Sequence, residues 1–223
     1  MKNAKFMLQI HRYLAAVGIT EIRRYAEVME ALLNREGAEI GRKLEARALD
    51  FPEDVREEFY EYNSEHYQEL VWHFPNQFRM SLVSTAYTML EERVVNVAKT
   101  LETIRKSKVT LTDFKGDAYS RARLYLAKII ELPLNDEDWQ PLDPFNFVRN
   151  VVVHNAGQID KSHKRYPAVQ QHIALNGHIS ADHLDNLILT EGYVEAYLNE
   201  IENFFSRLFG AWEKWATIRA VEA

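Results

Sequence analysis

The run NFVRNVVVHNAG, residues 146–157, is the part of this chain whose residue types and spacing suit chemistry. At 100° per residue, a helix over this run gathers Phe147, Val148, Val151 and Val152 into one apolar arc. Arg149, Asn150 and His154 fall on the opposite side with Asn146 and Val153. Asn150 and His154 are i,i+4 neighbours and are spaced to hydrogen-bond. Arg149 and His154 flank the polar stripe about 140° apart, so both reach an anion placed over Asn150. An imidazole titrates near neutrality and can take or give a proton. A guanidinium is permanently charged and forked to match phosphate oxygens. A neutral amide between them orients the imidazole or the ligand. The set suits attack of a ribose 2′-hydroxyl on the adjacent phosphate, with His154 moving the proton and Arg149 stabilising the charge that grows on phosphorus. No metal and no cofactor is required. A reaction needing both acid and base favours a symmetric dimer that brings two such histidines together.

The spacing carries information only in its strict form. An Arg followed by a His after four to six residues arises about 1.7 times by chance in a chain of this composition. It occurs twice, at Arg149 with His154 and at Arg165 with His172. The fixed pattern Arg-Asn-x-x-x-His is expected only about 0.03 times. A structural reading competes with the chemical one. Arg149 could pair with Asp143, and His154 could be a histidine favoured by the negative end of its helix.

These residues sit in a folded, breaker-poor chain. Of 223 residues, 47% are hydrophobic and 27% charged, and only 8 Gly and 6 Pro interrupt them, which favours long helices. The absence of cysteine excludes disulfides, Cys-bearing zinc sites, iron–sulfur clusters and thiol catalysis. No apolar run reaches the length of a membrane span, and the N-terminal segment is interrupted by Gln9, His11 and Arg12 where a signal core would be apolar. The expectation is a cytoplasmic protein that does not engage a membrane. Net charge is −6, but the charges are segregated. Residues 93–130 carry 9 basic and 3 acidic side chains, and residues 149–166 carry 4 and 1. If folding joins these two stretches, they form an anion-attracting surface; the bland reading is a solvated helix face.

The elements that must position the motif are legible as a helical series. Residues 2–48 read as helix, with a weak break at Val17-Gly18. Pro52 opens a second helix to about Phe74, and Pro75 opens a third of about 30 residues that spans the domain. Another helix starts at Asp113 or Gly116 and ends before Pro133. The motif helix covers roughly 144–156, with Gly157 placed to cap it in the left-handed conformation. Asn176-Gly177 between short apolar pieces predicts a tight hairpin, with Leu187–Leu189 as a third strand. A final helix over about 191–218 buries Tyr193, Val194, Tyr197, Ile201, Phe204, Phe205, Leu208 and Trp212. The expected fold class is all-α: a helical bundle with extra N-terminal helices and one small β-hairpin insertion.

With its Arg149, Asn150 and His154 in VRNVVVHNAG, the chain resembles the HEPN superfamily, in particular a prokaryotic HEPN-like group marked by an Arg-polar-x-x-x-His helix. FRMSLVSTAYTMLEERVVNVAK is similar to the preceding core helix of that group, and FKGDAYSRARLYLAKI to its next helix. The acidic turn DEDWQPLDPF and the hairpin after the motif also fit. The similarity covers about residues 70–210. It implies a HEPN-like domain over 71–223 with an N-terminal helical elaboration over 1–70, or one continuous domain. It further implies a homodimer and metal-independent RNA cleavage by Arg149 and His154 with Asn150 in support. Proteins of this kind serve as toxins paired with antitoxins or in phage defence. Other members are non-catalytic and act as dimerisation or nucleotide-binding modules.

Two further readings follow from the residues alone. A non-enzymatic helical dimer that binds a partner protein would use the aromatic-rich segment containing Phe59, Tyr60, Tyr62, Tyr67, Trp72 and Phe74, or Trp212 and Trp215 near the C-terminus. Simple core packing competes for those rings. A metal hydrolase would draw on His154, His163, His172, His178 and His183, whose gaps of 9, 9, 6 and 5 residues match no zinc-ligand pattern.

Overall fold

The computed structural model describes residues 2–221. Met1, Glu222 and Ala223, at the outer limits of the two expected segments, lie outside the described residues. The fold is an all-α bundle with a single two-stranded antiparallel hairpin among the described residues. Its first element, α1, runs from Lys2 to Ala48, about 70 Å at 1.5 Å per residue. No break occurs at Val17-Gly18. Gly18 lies inside the continuous helix where a Cβ would stand 3.2 Å from Met89 Cγ. It serves close helix approach rather than chain reversal.

After Pro52 and one 3₁₀ turn come α2 (Arg56–Asn63) and the short α3 (Glu65–Gln68). The expected single helix to Phe74 is therefore divided, and Glu69–His73 winds as a wide π turn. Pro75 explains it. Proline lacks the N–H that would bond four residues back, and the Phe74 N–H donates to Glu69 O, five residues back, instead. The chain passes straight into α4 (Phe74–Arg105), the central helix. Leu82, Val83, Ala86, Leu90, Val94, Val97, Ala98 and Leu101 are almost completely buried and share one face of the helix.

Asp117 accepts from Ser120 N to start α5 (Ala118–Tyr125), which ends in a π turn over Leu126–Ile130. Asn135 and Asp138 form a reciprocal capping box at α6 (Asp136–Trp139). The motif helix α7 spans Asp143–Asn155, and α8 spans Tyr166–Leu175. The helix α9 (Glu191–Val221) closes the bundle. All eight positions expected on its buried side are buried. Leu8, Ala15, Ile19 and Ile22 of α1 join the same buried cluster as α4 and α9.

The hairpin forms between the second and third of the expected strands, and the first is helical. The segment before Asn176 is helix α8, so Asn176-Gly177 ends a helix. β1 (Ile179–Ala181) pairs with β2 (Leu187–Leu189), Ile179 opposite Leu189. Asp182 drives this turn, accepting from Leu184 N, Asn186 N and Asn186 Nδ2. Asn76 of α4 donates to Leu187 O at 2.8 Å and accepts from Leu189 N at 2.9 Å, so the hairpin is hydrogen-bonded onto the central helix.

Two histidines, His11 buried and His172 half-buried, give the fold a pH dependence. His11 Nε2 meets Thr100 Oγ1 at 2.9 Å beside the Trp212 ring, and burial followed by the Arg93 charge holds its pKa below 6.5. His172 Nε2 meets Tyr193 Oη at 3.0 Å, and burial lowers it too. The unfolded chain therefore binds more protons than the folded one once pH drops below about 6.5. Stability should be level above that value and fall with decreasing pH, by up to about 1.4 kcal/mol per pH unit per histidine, until the depressed folded values are passed. Urea midpoints measured between pH 7.5 and 5 check this. His11→Gln should flatten the slope, and an unchanged slope would contradict the assignment.

Candidate functional site

Three features place α7. Phe145 stacks on Tyr197 of α9 at 4.5 Å, Val148 is fully buried, and Arg149 lies over the Tyr87 ring of α4 with Cζ 4.6 Å from its centre. The buried arc is therefore rotated from the expected one. Phe145 and Val148 face the core, whereas Phe147 and Val151 are only half-buried and line a groove. The reason is tertiary: the Phe145–Tyr197 stack and the Arg149–Tyr87 contact both pull the same side of α7 inward.

The helix ends in two left-handed residues, Ala156 at φ 50° and Gly157 at φ 88°. Both N–H groups donate to Val151 O. A Cβ at Gly157 would also press on the end of the Met80 side chain, at 2.8 Å from its Cε. From this cap the chain returns along the hairpin. Leu187 N donates to Gly157 O and Ile159 N donates to Asp185 O, each at 2.9 Å. Lys161 pairs with Asp185 at 2.6 Å. The loop 158–165 is thereby held opposite α7, and the space between them is a groove of about 360 Å³.

Two of the three motif residues, Asn150 and His154, line this groove, and Arg149 stands behind Asn150. His154 is exposed on its lip and makes no side-chain hydrogen bond among the described residues. Asn150 lines the groove. It does not bond His154. Its Oδ1 accepts from Arg149 Nη1 at 3.0 Å, and its Nδ2 donates to Asn146 Oδ1 at 3.4 Å. Arg149 is half-buried on the other flank, with Nε turned inward and without a protein acceptor. It makes no ion pair with Asp143. The structure thus keeps the imidazole accessible and reaches the guanidinium through the amide.

Residues that motif reasoning passed over complete the site. Tyr87, half of the Arg149 contact, has its pKa raised to about 12 by burial and then by Glu91 and Asp117, with Arg149 and Arg165 opposing. It is a neutral hydroxyl at physiological pH. Burial raises Asp143, opposed by Arg123 and Arg165. Arg123 and Arg165, one from each basic stretch, both lower this carboxylate's pKa. Across the groove stand His163, Lys164, Arg165 and Tyr166. His163 Nδ1 accepts from Arg165 N at 3.2 Å, which fixes the loop end. Asp160 is the groove's acid, and its Oδ1 accepts from Ser162 N and Ser162 Oγ within its own loop. The excess of positive charge over residues 149–166 was the sequence signal for this wall.

The five histidines of the metal reading are scattered. His154 and His163 share the groove, His172 is half-buried and meets Tyr193 at 3.0 Å, and His178 meets Thr190 at 3.1 Å. No group of three or more metal-ligating side chains is assembled among the described residues. No described helix is long and apolar enough to cross a membrane. Compared with protein-family models, with curated proteins and with solved structures, the chain gives no match.

Proposed function

We propose that this protein is a metal-independent endoribonuclease of the HEPN type that acts as a homodimer. The observation that carries the reading is the Arg149–Asn150 hydrogen bond, which links a fixed guanidinium to a groove whose lip presents a free imidazole. A phosphodiester over Asn150 lies between the two groups. His154 in its neutral form accepts the 2′-hydroxyl proton as that oxygen attacks phosphorus. The bond from phosphorus to the 5′-oxygen breaks, and that oxygen takes a proton from an imidazolium. A second His154, from the partner subunit, supplies it. Arg149 faces the charge on the non-bridging oxygens. The products are a 2′,3′-cyclic phosphate and a 5′-hydroxyl end.

The test is cleavage of RNA by the purified protein in EDTA. The expected result is undiminished cleavage, with no cut where a single 2′-deoxynucleotide replaces the nucleophile. Cleavage lost with the chelator, or persisting at the 2′-deoxy position, would overturn the reading.

A second reading has its own observation. Trp212 and Trp215 are core residues, but Tyr62 is 77% and Trp72 65% exposed. Exposed aromatic rings of this size suit a protein-binding surface on the N-terminal helices. Under that reading the protein is a non-catalytic helical interaction module, and it would leave RNA intact while Trp72→Ala abolished partner capture.

A further inference from the structure

The groove holds a cation that the cleavage chemistry does not use. Arg165, immediately before α8, is exposed, yet its guanidinium is seated over the Phe147 ring with Cζ 5.1 Å from the centre. Among the described residues it makes no ion pair and donates no side-chain hydrogen bond, so its forked donors face solvent. Its loop neighbour Lys161 is occupied by Asp185, and the groove's acid, Asp160, is turned onto Ser162. Lys164 on the same wall is likewise unpaired among the described residues but rests on no ring, so Arg165 is the preorganised charge of the far wall. A ring that seats a guanidinium removes much of the entropy cost of using it.

Its position relative to His154 defines what it can hold. Phe147 and His154 are seven residues apart on α7, two turns and about 10 Å along the axis. Donors to one phosphate each stand about 2.8 Å from its oxygens, which keeps them within roughly 8 Å of each other. Arg165, seated over Phe147, therefore stands toward the other end of the groove from His154.

We propose that Arg165 grips a second phosphate of the same strand, next along from the scissile one, and so aligns single-stranded RNA lengthwise in the groove. This rests on the ribonuclease reading for the identity of the strand. Arg165 is a positioning residue in it, and specificity for a strand of at least two phosphates is its consequence.

The experiment measures binding of a short, uncleavable 2′-deoxy-substituted RNA oligomer across a salt series. Each phosphate neutralised on a single strand contributes about 0.7 to the slope of log affinity against log salt. Arg165→Ala should weaken binding several-fold for every sequence and reduce that slope by about 0.7. Arg165→Lys should restore the slope, which a purely structural role would not do. In cleavage assays Arg165→Ala should raise KM and leave kcat nearly unchanged. Cleavage with an unaltered salt slope in Arg165→Ala overturns this inference and leaves the ribonuclease reading intact. Arg165-dependent binding without cleavage does the reverse. Absence of oligomer binding to the wild-type protein overturns both.

Discussion

Arg149→Ala and His154→Ala should each reduce RNA cleavage by 10²-fold or more while leaving the protein folded. The sizes follow from the roles. A positioned general base or acid contributes about 10²–10⁴, and one preorganised donor at a developing anion about 10²–10³. The stability side follows from the surroundings. His154 is exposed and makes no side-chain hydrogen bond among the described residues, so its removal should cost under about 1 kcal/mol, the scale of a dipole-favoured surface histidine. Arg149→Ala loses the contact over Tyr87, about 0.5–2 kcal/mol. Arg149→Lys separates charge from geometry. Lysine keeps the charge but cannot lie on the Tyr87 ring and reach Asn150 in the same forked manner, so cleavage should fall to an intermediate level. Asn150→Asp should be worse than Asn150→Ala, because a carboxylate at Oδ1 would pair tightly with Arg149 and repel phosphate. Initial rates on a labelled RNA, with thermal unfolding of each variant, measure all of this. Equal rates in wild type and His154→Ala would remove the chemistry proposed for this helix.

The sequence revealed the helices and the motif far better than the surfaces between them. Long apolar periods located α4 and α9 because a buried stripe repeated over 30 residues leaves little alternative. Asn176-Gly177 misled because the same dipeptide that turns a hairpin also ends a helix, and the strands pair instead across the Asp182 turn. The helical wheel puts Arg149 and His154 on opposite flanks of α7, where Arg149 lies over Tyr87 and His154 stands on the groove's lip. It could not show which apolar neighbours face the core, since the Phe145 stack on Tyr197 and the Arg149 contact with Tyr87 join positions more than 45 residues apart. Arg165 was visible as part of a basic stretch, but its role depends on a ring 18 positions earlier. A local motif is legible because its members share one helix. A groove whose walls come from α7 and a returning loop is a tertiary object.

The largest stability effect should come from a site remote in sequence from the motif. Glu30 of α1 and Arg79 of α4 form a two-pronged ion pair, Nε to Oε1 at 2.6 Å and Nη2 to Oε2 at 2.7 Å. Their side chains are only 4% and 18% exposed, respectively. Arg79 also donates from Nη1 to Leu189 O at 3.0 Å, so one guanidinium joins α1, α4 and strand β2. Forming such a pair gains little net stability, because desolvating two charges offsets most of their attraction. Breaking it is different. Glu30→Ala leaves a guanidinium buried without its counter-charge and should destabilise the fold by about 3–5 kcal/mol. Replacing both residues by apolar ones should recover much of that loss, short of the bond to Leu189, and urea titration of the single and double variants gives the comparison. The consequence extends to the groove. Its far wall hangs from the hairpin through Ile159 N to Asp185 O, and the hairpin hangs from α4 through Asn76 and Arg79. Hydrogen exchange at Ile159 and Leu187 should therefore speed up in Glu30→Ala by more than exchange at Leu90 in the middle of α4. If all three amides lose protection equally, the ion pair stabilises the bundle as a whole and the wall of the groove has no separate dependence on it.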